Sequence, residues 1–210
     1  MTDEEALKEI DRQEKRRVES EKLRICAAGR CPPGVGCLSG KRISDNYAII
    51  TSVMDSIVTM AEYLSYRYWE KSHADIDEMK MHKLLYLAQR ESIVRSGNPL
   101  FHEGIYAFQY GPVIKEVRTL FRKGGMHVTE FFTTLTERAK DILDSVFETY
   151  SGKNSWSLSR LTHAEYSWCH ARHVSTRGGG DRLMALEDIR KDAYRIRERR
   201  KLRAALVVQG

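Results

Sequence analysis

Apolar residues recur at helical period over much of the chain. Within 46–69, Tyr47, Ile50, Val53, Met54, Ile57, Val58, Met60, Ala61, Leu64 and Tyr68 share one side, with Asp45 placed as N-cap. After a polar stretch, Ile76, Met79, Leu84, Tyr86, Leu87 and Val94 mark a second helix. Asp75 or Asp77 is placed to cap it, and Gly97-Asn98-Pro99 to stop it. The texture then changes. The run 103–109, EGIYAFQ, is aromatic, β-branched and too short for a helix, so it predicts a strand or an extended core segment. Tyr110-Gly111-Pro112 is a sharp break. Pro112 suits the first position of a helix over 113–122 that turns Val113, Val117, Leu120 and Phe121 inward and ends at Gly124-Gly125. The β-branched run 128–133 is expected to pair with 103–109 in a small sheet.

Helical spacing resumes at 136–150 through Ala139, Ile142, Leu143, Val146, Phe147 and Tyr150. Two short helices are expected at 157–160 and 162–172, the second with Thr162 as N-cap and Glu165 at the capping-box position. STRGGGD (175–181) reads as a connector, and a last helix is expected over 183–207. The pattern predicts a mainly α fold with at most one small two- to three-stranded sheet. It predicts a domain over 46–175, a charged helix and a Cys/Gly/Pro loop over 1–45, and a linker and basic helix over 176–210.

Composition narrows the class. The 210 residues are 30% charged and 41% hydrophobic, which suits a globular chain and excludes collagen-like and wholly disordered ones. No apolar run approaches the roughly 18 residues of a membrane span, and the opening MTDEEALKEIDRQEKRR is too charged for a secretory signal, so a cytoplasmic protein is expected. The net charge of +6 permits nucleic-acid binding without requiring it. Charge along 1–24 is nearly balanced, with pairs such as Glu4–Lys8. The excess gathers at Arg190, Lys191, Arg195, Arg197, Arg199, Arg200, Lys201 and Arg203. Arg195, Arg199, Arg200 and Arg203 are the candidate polyanion contacts, although a solvated helix face accounts for the run more simply.

Chemistry-bearing residues are sparse. Cys26, Cys31 and Cys37 stand as C-x4-C-x5-C in a Gly/Pro loop, weak candidates for zinc. Cys169 or a distant His would have to complete such a site, and reduced thiols in a linker are the favoured reading. His170 and His173 share a helix face, a spacing that can hold metal, but no carboxylate completes an H-E-x-x-H pattern. His163 is expected to bond backbone or pack beside Trp168, and His82 to face solvent. No phosphate loop, dinucleotide fingerprint or nucleophile elbow is present, so neither catalysis nor a cofactor is expected.

Three motifs in order carry a family resemblance: MKMHKLLYLAQ (79–89), PLFHEGIYAFQYGPVIKEV (99–117) and LSRLTHAEYSW (158–168). Over about 47–175 the chain resembles the Panacea domain, a bacterial and phage-associated family of toxin-neutralising antitoxins. Its pattern falls on Met79, Lys80, Lys83, Leu84, Leu85 and Tyr86, on Leu100, Phe101, Glu103, Ile105, Ala107, Phe108, Gly111, Pro112 and Val113, and on Leu158, Ser159, Thr162, His163, Glu165 and Trp168. Phe108 stands where Trp is usual, and Tyr166-Ser167 replaces a frequent Pro. The resemblance implies a helical protein-binding module that neutralises a toxin encoded beside it by direct contact, some members acting as adaptors for an ATP-dependent protease. A nucleic-acid-binding regulator acting through the basic last helix is the alternative. Lys83, Tyr86, Glu103, Tyr110, His163 and Glu165 lie within apolar runs and are expected to form one shared polar network.

Overall fold

The computed structural model describes residues 55–124, 135–173 and 182–208, and among these a two-stranded hairpin and seven helices, one of them central, are found. The helices are α1 (Ile57–Ser72), α2 (Glu78–Ser96), α3 (Lys115–Arg122), α4 (Glu137–Tyr150), α5 (Ser155–His163), α6 (Tyr166–His173) and α7 (Leu186–Val208). Strands β1 (Ile105–Phe108) and β2 (Gly111–Ile114) pair antiparallel between α2 and α3, with Ala107 opposite Pro112. All of this belongs to one compact unit, Met54–Gly210. The fold is mainly α with one small sheet, as the periodicity predicts. The helix at 1–24, the Cys26, Cys31 and Cys37 loop, Asp45, the strand at 128–133 and the connector at 175–181 lie outside the described residues.

Helix α2 is buried nearly all round because α1, α4, α5, α7 and β2 enclose it. Its start follows local chemistry: Asp77 is extended and its carboxylate accepts from Lys80 N at 2.8 Å. Gly97, in the left-handed region at φ 76°, ends it. Burial this complete encloses polar side chains with the apolar ones, and each has a partner built for it. Gln89 receives the amides of Leu100 and Phe101 at 2.7 and 3.1 Å and donates to the Phe101 carbonyl at 2.9 Å. Ser92 donates to Asn98 O, and Lys80 donates to Ser151 O and to the Tyr68 hydroxyl.

Element boundaries differ from the sequence reading at three places. Asp55 and Ser56 are not helical, and Ser56 rather than Asp45 caps α1. Asp55 instead receives the amide and hydroxyl of Thr136, the α4 N-cap. Pro112-Val113-Ile114, expected to begin a helix, falls in strand β2, so β1 has its immediate neighbour as a partner. Proline fits because a two-stranded hairpin leaves room for a residue with no ladder N–H. Thr162 belongs to α5, where its hydroxyl donates to Ser159 O, and is not the α6 N-cap.

The basic helix read as an appendage is part of the core. Ile189 and Ala193 of α7 are buried in the core, and the helix packs along α2, while Met184 just before it is buried and donates its amide to Ile105 O of β1 at 2.7 Å. The cations of α7 fasten the end of α2. Arg197 donates to the carbonyls of Ile93 and Val94 at 2.8 and 2.9 Å, and Arg190 to Gly97 O at 2.8 Å. These carbonyls belong to the last turn of α2 and its cap, where cations are favoured. Arg200 forms a two-pronged pair with Glu91 at 2.9 and 2.8 Å.

Candidate functional site

The three motifs converge on the β1–β2 turn. Carbonyls at alternate positions are each held by a side chain from a different helix. Trp168 Nε1 of α6 donates to Phe108 O at 3.1 Å, Ser159 Oγ of α5 to Tyr110 O at 2.9 Å, and Lys83 Nζ of α2 to Pro112 O at 3.3 Å. Gly111 lies inside this triangle at φ 107°, and a Cβ there would come within 2.7 Å of Lys83 Cε and 2.9 Å of Thr162 Oγ1. Only glycine satisfies both the backbone conformation and the space.

Lys83 is 1% exposed, and burial pushes its ammonium down to about 8 against the pull of Asp77 and Glu78. His82, expected in solvent, is 2% exposed. Its Nδ1 accepts from Ile114 N at 3.4 Å, and burial with the neighbouring Lys83 and Arg118 charges lowers it to about 3. The error has a simple cause: a helix enclosed on all sides has no polar face. His163 stacks on Trp168 with centroids 3.9 Å apart, the packing that the sequence suggested. Burial and the charges of Lys83 and Arg172 lower its proton affinity.

The single polar network expected from the sequence is two networks. Lys83 and His163 sit at the turn, whereas Tyr86 and Glu165 belong to a separate group under α6. There the Tyr86 hydroxyl meets Ser167 Oγ at 3.1 Å, and Glu165 pairs with Arg90. Burial and Asp192 push the Glu165 carboxyl up to about 7 against the Arg90 guanidinium. Asp192 of α7 accepts the first amides of α6, Tyr166 and Ser167, at 2.8 and 2.9 Å. It therefore caps α6 from a distant helix, a role no local pattern announces. Glu103 and the Tyr110 ring lie outside both groups. Glu103 is half-buried beside the β1 entrance, and Phe101 is buried with its backbone clamped by Gln89. Ser159 was a pattern residue with no role assigned to it, and Gln89, Arg90 and Asp192 are positioning residues that the sequence reading did not single out.

The fixed turn presents an aromatic pair to solvent. Tyr110 is 51% exposed and Trp156, in the first turn of α5, is 61% exposed, edge to face with centroids 5.5 Å apart. Chemistry is sparse by comparison. Among the described residues no three His, Cys, Asp or Glu side chains are grouped to hold a metal. His170 pairs with Asp188 at 2.6 Å, and Cys169 is a free thiol near the His163 carbonyl. Among the same residues no helix is long and apolar enough to cross a membrane.

Residues 81–169 match the family model described as "Antitoxin SocA-like, Panacea domain". The matched span takes in Lys83, Gly111, Ser159 and Trp168, the parts of the turn clamp, and is narrower than the 47–175 expected from the motifs. No curated protein and no solved structure matches the chain.

Proposed function

Residues 81–169 carry a Panacea domain of the SocA-like antitoxin type, and on that premise we propose that the protein neutralises a cognate toxin by direct contact through the Tyr110–Trp156 surface. One observation carries this reading. The motif residues are spent on holding a turn, and what that turn displays is an exposed aromatic pair on a fixed backbone. Large aromatics on a rigid support supply contact area at little entropic cost, and such residues dominate protein interfaces. Isolated exposed aromatics are ordinary, but here three helices contribute a bond to the segment that holds one of them. The role is binding rather than catalysis. The exposed residues Leu202, Leu206 and Val207 near the end of α7 offer a second apolar surface to the same partner.

Co-expression with the product of each adjacent gene tests the reading. Restored growth and co-purification are expected with one of them, and Tyr110→Ala/Trp156→Ala is expected to lose both while keeping its melting temperature. The level of toxin separates the modes: holding leaves it unchanged, and handing it to an ATP-dependent protease lowers it. Failure of rescue and of co-purification with every neighbour removes the antitoxin reading.

A further inference from the structure

We propose that the cleft between α2, α5 and α7 binds a phosphorylated small molecule through Arg195, Arg199 and Arg203, a function separate from toxin contact. The cleft encloses about 440 Å³, within the range of small-ligand sites. Arg195, Arg199 and Arg203 recur one turn apart on α7, each step rising about 6 Å, so they line one wall as a column. Among the described residues no carboxylate pairs with any of the three. Arg199 Nε reaches only the Arg195 carbonyl at 3.3 Å, and Arg195 lies over the Tyr166 ring at 5.4 Å. Like charges on successive turns repel, a cost that an anion between them reverses.

The acids of the cleft are already engaged. Glu165 is bonded to Arg90, and Asp192 holds the amides of α6. Five guanidiniums line the space against these two carboxylates, and Glu91 takes one more guanidinium, that of Arg200. The balance leaves at least two positive charges, which a phosphate group carrying about −1.5 to −2 offsets. Arg90, 3% exposed and lining the same cleft, adds an independent sign: its Nε is buried with no acceptor. Guanidinium forks fit phosphate oxygens in two-pronged fashion. Leu161, Ile196 and the Tyr150 ring supply an apolar wall for the rest of the ligand. The volume suits a molecule of nucleotide size.

Pyrophosphate and ADP, titrated separately into the full chain by calorimetry and thermal melting at physiological salt, test the proposal. Saturable binding of either is expected, with a raised melting temperature. Arg199→Glu/Arg203→Glu, both exposed, is expected to weaken it at least ~10-fold, and Arg203→Gln by a smaller factor. Arg122→Glu, at an exposed position at the end of α3, is expected to leave binding unchanged. Absence of binding by both probes overturns the proposal. So does an Arg122→Glu loss equal to that of the α7 variants, which marks net charge alone. Steeply salt-dependent binding of a single-stranded oligonucleotide with neither small anion bound assigns the column to nucleic acid instead.

Discussion

The side chain of Lys83 occupies the space that a side chain at Gly111 would need: a Cβ there would stand 2.7 Å from Lys83 Cε. The lysine of the first motif and the glycine of the second are therefore one structural unit. A buried ammonium bonded to a single carbonyl is a poor source of stability, so its role is to fix the turn. Gly111→Ala imposes both the close contact and an unfavourable positive φ, and is expected to cost about 2–4 kcal/mol in urea denaturation. In the double variant with Lys83→Ala the cost is expected to be clearly less than the sum of the single costs. Additive costs would separate the two residues.

Two buried groups give opposing pH dependences. His82 takes its proton near 6.5 when unfolded but only near 3 in the fold, so the stability it confers above 6.5 is lost as pH falls through that window. Glu165 runs the other way. Its carboxyl rises from 4.5 to about 7, so its contribution is complete below 4.5 and lost as pH rises toward 7. Between those windows each slope approaches about 1.4 kcal/mol per pH unit, and the two offset one another. Wild-type stability is expected to change little between pH 4.5 and 6.5 from this pair. Glu165→Gln is expected to expose the acid-side loss, and His82→Asn the opposite slope. Unchanged profiles for both variants would contradict the burial of His82 and Glu165 as the source of the two slopes.

Capping from a distance makes α6 dependent on α7. Asp192→Ala strips the acceptors from one part-buried and one buried amide and is expected to cost about 2–3 kcal/mol, more than an ordinary exposed cap. Chemical denaturation measures the cost. Asp192→Asn, which keeps one acceptor oxygen, is expected to recover about half.

Loss of the turn clamp should reach the surface pair without unfolding the protein. Trp168→Phe keeps the apolar volume beside His163 but removes the bond to Phe108 O. It is expected to lower stability by about 1 kcal/mol and to weaken toxin capture by a larger factor than that loss explains. Binding at wild-type strength would show that the clamp is structural only.

Helix positions were legible in the sequence because α1 and α4 bury periodic stripes, and Asp77 and Gly97 fall at the two ends of α2. The three motifs marked the turn, since Gly and Pro within an aromatic run demand a special backbone. Less legible was anything fixed by packing between distant segments. His82 looks polar-faced until every side of α2 is covered, and the basic run of α7 looks solvated until Arg190, Arg197 and Arg200 are seen holding α2. The β2 strand was hidden because a Pro after a turn suits a helix start equally well by local rules. The Asp192 cap and the Arg90–Glu165 pair join residues 26 and 75 positions apart, beyond any short-range pattern.

Direct contact with a toxin is tested most plainly by native mass spectrometry of the full chain co-purified with the product of an adjacent toxic gene. The expected spectrum is a stoichiometric complex that forms with wild type and disappears with Tyr110→Ala/Trp156→Ala, whose fold and melting temperature are retained. A complex that persists in that variant would contradict the aromatic surface as the contact. Growth rescue with no complex of any stoichiometry would contradict neutralisation by direct contact.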